Sequence, residues 1–173
     1  KEYLDESGSA PAQDIWTDII LGPTAGERLG YQTQKPRELL ERIIGASSNE
    51  GDLVLDPFCG CGTTIFAAEG LRRRWIGIDI TIHAVALIEK GLRDAYKEKL
   101  HFTTRGLPTT MEEAVALADR DKFQFQWWAA YQLGARGEEK KGADKGIDGR
   151  ILFRLEDPAD YREIIISAKG GKL

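Results

Sequence analysis

Leu53-Val54-Leu55-Asp56-Pro57-Phe58-Cys59-Gly60-Cys61-Gly62-Thr63-Thr64 is the stretch that decides how this chain is read. Leu53-Val54-Leu55 is a continuous apolar strand of the kind that lies buried in a parallel sheet. Gly60 and Gly62 let the following backbone turn sharply and approach a ligand closely, where a Cβ would collide. A helix starts at Thr63-Thr64 and runs through Ile65, Phe66, Ala67 and Ala68 to Gly70. Its free N–H groups and positive dipole end point at the loop, a place that suits the carboxylate of a bound amino acid. A second strand, Trp75-Ile76-Gly77-Ile78, ends on Asp79, 17 residues beyond Gly62. At a strand tip, a carboxylate accepts hydrogen bonds from both hydroxyls of a ribose.

These features alone leave open which nucleotide-like ligand is bound, or whether one is bound. They do narrow the choice. The third glycine of the dinucleotide fingerprint is missing, which disfavours nicotinamide and flavin cofactors. No Gly-Lys-Ser or Gly-Lys-Thr occurs, which disfavours a P-loop triphosphatase.

Working outward, Pro36 opens a helix whose apolar face is Leu39, Leu40, Ile43 and Ile44, stopped by Gly45 and Ser47-Ser48-Asn49. Residues 1–30 read as irregular, rich in Gly, Pro, Ser and Asp. Downstream, a helix is predicted over about Ile82 to Lys97 and a third strand over His101-Phe102-Thr103, completing a βαβαβ unit. Near residue 108 the character changes. A short helix is predicted at Met111–Ala118, then an aromatic run from Phe123 to Leu133, then a charged glycine-rich loop from Gly134 to Gly149. Two strands follow, Ile151–Leu155 and Glu163–Ser167, around a turn at Glu156-Asp157-Pro158. The expected boundary lies near residue 120, with one region over 1–120 and a smaller one over 121–173.

Composition fits a globular chain: of 173 residues, 42% are hydrophobic and 30% charged. No apolar run approaches the roughly 18 residues of a membrane span, and the polar, acidic N-terminus is no signal peptide. Cys59 and Cys61 suit neither a disulfide framework nor a zinc site, so free thiols in a reducing cytoplasm are expected. A net charge of −4 argues against a basic DNA-binding module while permitting local patches. Arg72-Arg73-Arg74 and the stretch around Lys140, Lys141 and Lys145 are such runs, each either a solvated face or a nucleic-acid contact.

Asp56-Pro57-Phe58-Cys59-Gly60-Cys61-Gly62-Thr63-Thr64 resembles motif I of the amino-group DNA methyltransferases. Thr33-Gln34-Lys35-Pro36 is similar to their motif X, Ile76-Gly77-Ile78-Asp79 to motif II, and Trp16-Thr17-Asp18-Ile19 to a segment often found before motif X. Motif X preceding motif I resembles the β-class order, in which the catalytic half comes first. The resemblance covers about residues 3 to 110. It implies an α/β, Rossmann-like methyltransferase fold with a partial parallel sheet, to which the reading of residues 121–173 adds a small C-terminal α+β segment. It also implies S-adenosylmethionine as cofactor and double-stranded DNA as substrate, methylated on an exocyclic amino group of adenine or cytosine. By the same resemblance Phe58, Gly60 and Gly62 shape the loop around the cofactor, and Thr63 or Thr64 meets its carboxylate. Asp56 faces the methionine amino group, Asp79 the ribose, and Thr33 and Lys35 line the methionine side. Structural alternatives exist for two of these: Thr33 as part of the cap of the next helix, and Phe58 as core.

One departure matters. The family carries a catalytic Asp-Pro-Pro-Tyr, or a variant beginning with Ser or Asn, that holds and stacks on the flipped base. No such tetrapeptide occurs here, so no catalytic residue is assigned and the chain by itself is expected not to methylate DNA. By the β-class order the missing motif is expected upstream of Lys1. A chain without that half is expected to expose an unpaired hydrophobic strand edge, inviting a homodimer or the missing half as a partner chain. The C-terminal stretch poses a separate question. Asp144-Lys145-Gly146-Ile147-Asp148-Gly149 and Ile165-Ile166-Ser167-Ala168-Lys169 resemble the core of restriction-endonuclease-like domains, with Asp148 as a metal ligand and Lys169 as the lysine. Ser167 stands where that family usually has Glu or Gln, and a plain β-hairpin is the alternative.

Overall fold

A computed structural model describes residues 15, 16, 19, 31, 33–137, 146–154 and 161–170. Thr17, Asp18, Lys140, Lys141, Asp144, Lys145 and the turn at 156–158 lie outside the described residues. The chain divides into two compact units, Lys1–Asp79 and Ile80–Leu173. The boundary expected near residue 120 thus falls inside the second unit, between two helices that pack on each other. Among the described residues no helix is long and apolar enough to cross a membrane.

Unit 1 begins with helix α1, Arg37–Ser47, entered from Pro36 with φ −59° and no side-chain cap. Gly45 does not stop it. The end is set by hydroxyls, Ser47 Oγ donating to the Ile43 carbonyl at 2.7 Å and Ser48 Oγ to that of Ile44 at 2.6 Å. These bonds satisfy carbonyls that a helix C-terminus leaves orphaned. Strand β1, Leu53–Asp56, helix α2, Thr63–Gly70, and strand β2, Arg74–Gly77, follow closely where the sequence places them. The strands pair in parallel, Val54 opposite Trp75 and Leu55 opposite Ile76.

Val54 and Trp75 share the face covered by both helices, in a core of Ile44, Ala67 and Ala68 with Leu40 and Leu71. Two alanines let the helices approach closely. The other face is bare. Leu53 is 53% exposed, Leu55 58%, Ile76 47% and Ile78 53%, so the strand expected to be buried on both sides is buried on one. The cause is plain: α1 and α2 lie on the same side of a two-stranded sheet.

The arginine triplet also has a structural use. Arg73 donates to Ser48 Oγ at 3.1 Å and to the Ser48 and Leu71 carbonyls at 2.7 and 2.6 Å. Arg74 Nε donates to the Gly51 carbonyl, and Arg72, in the left-handed region at φ 58°, pairs with Glu50 at 3.1 Å. Together they staple the loop entering β1 to the turn entering β2, at the strand ends away from the glycine loop.

Unit 2 contains helices α3, Ile82–Tyr96, α4, Met111–Arg120, and α5, Lys122–Gln132, with a short 3-10 turn at Lys97–Lys99. Each helix has a side-chain N-cap: Thr81, Thr110 and Asp121. Thr110 and Glu113 form a reciprocal capping box, and hydrogen bonds from Thr109 hold the Glu113 carboxyl below its ordinary range. The aromatic run is α5, most of it half-buried and packed on α3 and α4.

The third strand expected at 101–103 is absent, and the parallel sheet stops at β2. The segment is instead held by side chains, Phe102 lying under the Arg93 guanidinium at 5.3 Å and Thr104 donating its hydroxyl to Glu89. Three antiparallel strands close the unit, in the order β3, Arg136–Gly137, β4, Gly149–Arg154, and β5, Tyr161–Ile166. The sequence reading missed β3, which is two residues long inside a stretch read as loop.

Candidate cofactor site

The glycine loop is built by hydrogen bonds from both of its flanks. The Asp56 carboxylate accepts from the Phe58 N–H at 3.1 Å, fixing the first turn after β1. The end of β2 then takes two successive loop amides: Cys59 N–H donates to the Ile78 carbonyl at 3.0 Å and Gly60 N–H to Asp79 Oδ2 at 2.9 Å. Gly62 N–H closes the loop on the Cys59 carbonyl at 2.8 Å. Gly60 at φ +51° and Gly62 at φ +84° sit in the left-handed region that a side chain disfavours. Gly62 is also the N-cap of α2, which has no side-chain cap, leaving first-turn amides for an anion.

Upstream residues join the same place. Thr63 Oγ1 donates to the Lys35 carbonyl at 3.4 Å, and Lys35 Nζ donates to the Thr33 carbonyl at 3.3 Å. Thr33, Lys35, Asp56, Phe58, Gly60, Gly62, Thr63, Thr64 and Asp79 all lie in unit 1, where hydrogen bonds join Thr33, Lys35 and Thr63 in one group and tie Asp56 to Phe58 and Asp79 to Gly60. Two structural alternatives for these residues fail. Thr33 does not cap α1, whose N-cap is Pro36, and Phe58 is 87% exposed, so it is not core. An exposed aromatic ring at a loop tip is free to stack on a flat ligand. Tyr31 is the residue that sequence reasoning missed: its ring lies 3.3 Å from where a Cβ on Gly60 would be. Its only signal is an aromatic side chain two positions before Thr33.

The two cysteines of the loop are free and buried. The Cys59 thiol is pushed up to about 11, first by burial and then by the carboxylates of Asp79 and Asp56. It stays protonated near neutrality and packs rather than reacts. The histidines differ in setting: His101 is exposed, whereas the His83 ring lies 5.7 Å from that of Trp127.

In unit 2, the hairpin register brings Asp148 beside the residues after β5. Buried Asp148 accepts from the Ala168 N–H at 2.7 Å, and its own N–H donates to the Ile166 carbonyl. Lys169 is exposed. Among the described residues no group of three or more His, Cys, Asp or Glu could hold a metal ion.

A two-stranded parallel sheet with a glycine loop, an uncapped helix start and an acid after the second strand define an α/β unit of Rossmann-like type. The profile of the N6_N4_Mtase family, DNA methylase, matches residues 1–90, and the chain belongs to that family. It is 52% identical over 91 residues to the Type II methyltransferase M.EcaI of Enterobacter cloacae, covering 52% of this chain and 20% of that protein. It is also 52% identical over 80 residues to the DNA adenine methyltransferase YhdJ of Escherichia coli K12, covering 46% and 26%. A solved structure of the M1.HpyAVI–SAM complex is 41% identical with a TM-score of 0.37, covering 38% of this chain and 33% of that one. The chain thus spans only about a fifth of M.EcaI and a quarter of YhdJ.

Proposed function

We propose that unit 1 binds S-adenosylmethionine for a DNA methyltransferase that transfers the methyl group to an exocyclic amino group of adenine or cytosine. The observation that carries this reading is the junction of Thr33–Lys35, the glycine loop and Asp79 within one unit of a DNA methylase family member. Bound there, the cofactor supplies an electrophilic methyl group. The chain's own residues bind and orient it. The uncapped start of α2 at Thr63 and Thr64 takes the carboxylate, Asp56 the amino group and Asp79 the ribose hydroxyls. Gly60 and Gly62 leave room for close approach, and Phe58 offers a ring face. The base-holding tetrapeptide is absent from the sequence, so in this reading the chain binds cofactor and double-stranded DNA is acted on by a complete enzyme in the cytoplasm. Calorimetric titration of S-adenosylmethionine into the chain tests the assignment. Binding is expected, weakened about tenfold or more in Asp79→Ala, the usual loss when a charged hydrogen-bond partner is removed. No binding by the wild-type chain sinks the assignment.

The partner reading rests on the bare sheet face. Four large apolar side chains, Leu53, Leu55, Ile76 and Ile78, stand together in solvent, as at protein–protein contact sites. The chain is expected to self-associate through this face. Sedimentation over a range of concentrations should show dimers that a Leu55→Glu, Ile76→Glu double variant abolishes. A wild-type monomer at every concentration counts against it.

A further inference from the structure

We infer that Asp79 is a positioning residue for the glycine loop, holding it in its binding shape before the cofactor arrives; this rests on the cofactor reading above. Two glycines within three residues give a segment that, untethered, samples many backbone conformations. Its local bonds, Phe58 N–H to Asp56 and Gly62 N–H to Cys59, fix the two ends but not the middle. The middle is fixed from 19 residues away, where Asp79 Oδ2 accepts from the Gly60 N–H at 2.9 Å. The preceding amide, that of Cys59, is taken by the Ile78 carbonyl at 3.0 Å. A hydrogen bond to a carboxylate is stronger than one between neutral groups. The tip of β2 therefore clamps two successive loop peptides and holds Gly60 at φ +51°, with the Tyr31 ring 3.3 Å from where a Cβ on Gly60 would be. A site shaped in advance loses less affinity to ordering when the ligand binds.

The two duties of Asp79 separate with a ligand that cannot use one of them. S-adenosylhomocysteine and an analogue lacking both ribose hydroxyls are titrated into the full chain, as wild type, Asp79→Ala and Asp79→Asn. If Asp79 shapes the loop, Asp79→Ala weakens the hydroxyl-free analogue about tenfold, and Asp79→Asn, whose amide oxygen still accepts from Gly60, restores most of it. If wild type and Asp79→Ala bind the analogue equally, the residue serves only the ribose and the inference is overturned. The Gly60 amide exchange rate without ligand is the second readout. It should rise about tenfold or more in Asp79→Ala and return in Asp79→Asn, with the urea midpoint of each variant showing that the fold persists. Should the wild type bind neither ligand, the cofactor reading fails, and Gly60 exchange alone decides whether Asp79 holds the loop. Unchanged exchange in Asp79→Ala overturns that as well.

Discussion

Gly77→Val is expected to lower the stability of unit 1 by about 2 kcal/mol, the balance of two opposing effects. A Cβ at position 77 meets the Ile65 side chain at once, with Ile65 Cγ1 and Cys59 Sγ both at 3.1 Å. Ile65 and Cys59 are buried, so neither has room to retreat. Overpacking of this kind costs roughly 1–3 kcal/mol for modest insertions, and valine adds two methyl groups beyond the Cβ. Against this stands the better strand propensity of valine, worth at most about 1 kcal/mol. The clash wins. Because Cys59 is the first loop residue tied to β2, the same substitution should also reduce cofactor affinity. Urea unfolding checks the first effect: the midpoint falls while the slope stays the same. An unchanged midpoint would show that Ile65 and Cys59 move aside freely.

Glu89→Ala should destabilise unit 2 by a larger amount, about 3 kcal/mol. Glu89 is buried in α3, and its two carboxylate oxygens are used by different elements. Thr104, from the segment after α3, donates to one and Tyr131 of α5 to the other, with the Arg93 guanidinium 3.7 Å away. Removing the carboxylate strands two hydroxyls at once, each costing about 1–3 kcal/mol when left unpaired inside a protein. Glu89→Gln keeps one acceptor oxygen and should cost less. The pH dependence has a definite sign. The Tyr131 phenol is pushed up from 10.0 to about 12, by burial first and then by the hydrogen bond and charge of Glu89. A raised pKa contributes stability that is intact below pH 10 and lost as pH rises toward about 12. The urea midpoint of the chain should therefore fall as pH rises from 10 toward about 12. In Glu89→Ala the titration should shift downward, burial being the cause that remains. A urea midpoint that does not change across that interval would refute the linkage.

The cofactor loop was legible because its demands are local. Positive φ at Gly60 and Gly62, a helix starting at Thr63 and an acid ending the next strand are each written within a few residues. The parts that escaped depend on distant partners. Whether His101-Phe102-Thr103 becomes a strand depends on a neighbouring edge, and here Arg93 and Glu89 hold the segment by its side chains instead. Leu53-Val54-Leu55 has the composition of a strand buried on both faces, but composition does not say that α1 and α2 lie on one side. The arginine triplet reads as a patch because sequence shows three like charges and not the carbonyls of Ser48, Leu71 and Gly51 that receive them. The division after Asp79 left no compositional mark, because α3 has the same amphipathic pattern whichever body it packs on.

The arginine staple and the glycine loop occupy opposite ends of the same two strands, with no hydrogen bond shared between them among the described residues. Changes at separated sites with no common partner add nearly independently. Evolution can therefore rewrite one end without renegotiating the other. An engineer can strengthen the turn between Glu69 and Arg74 to harden unit 1 and leave the glycine loop untouched.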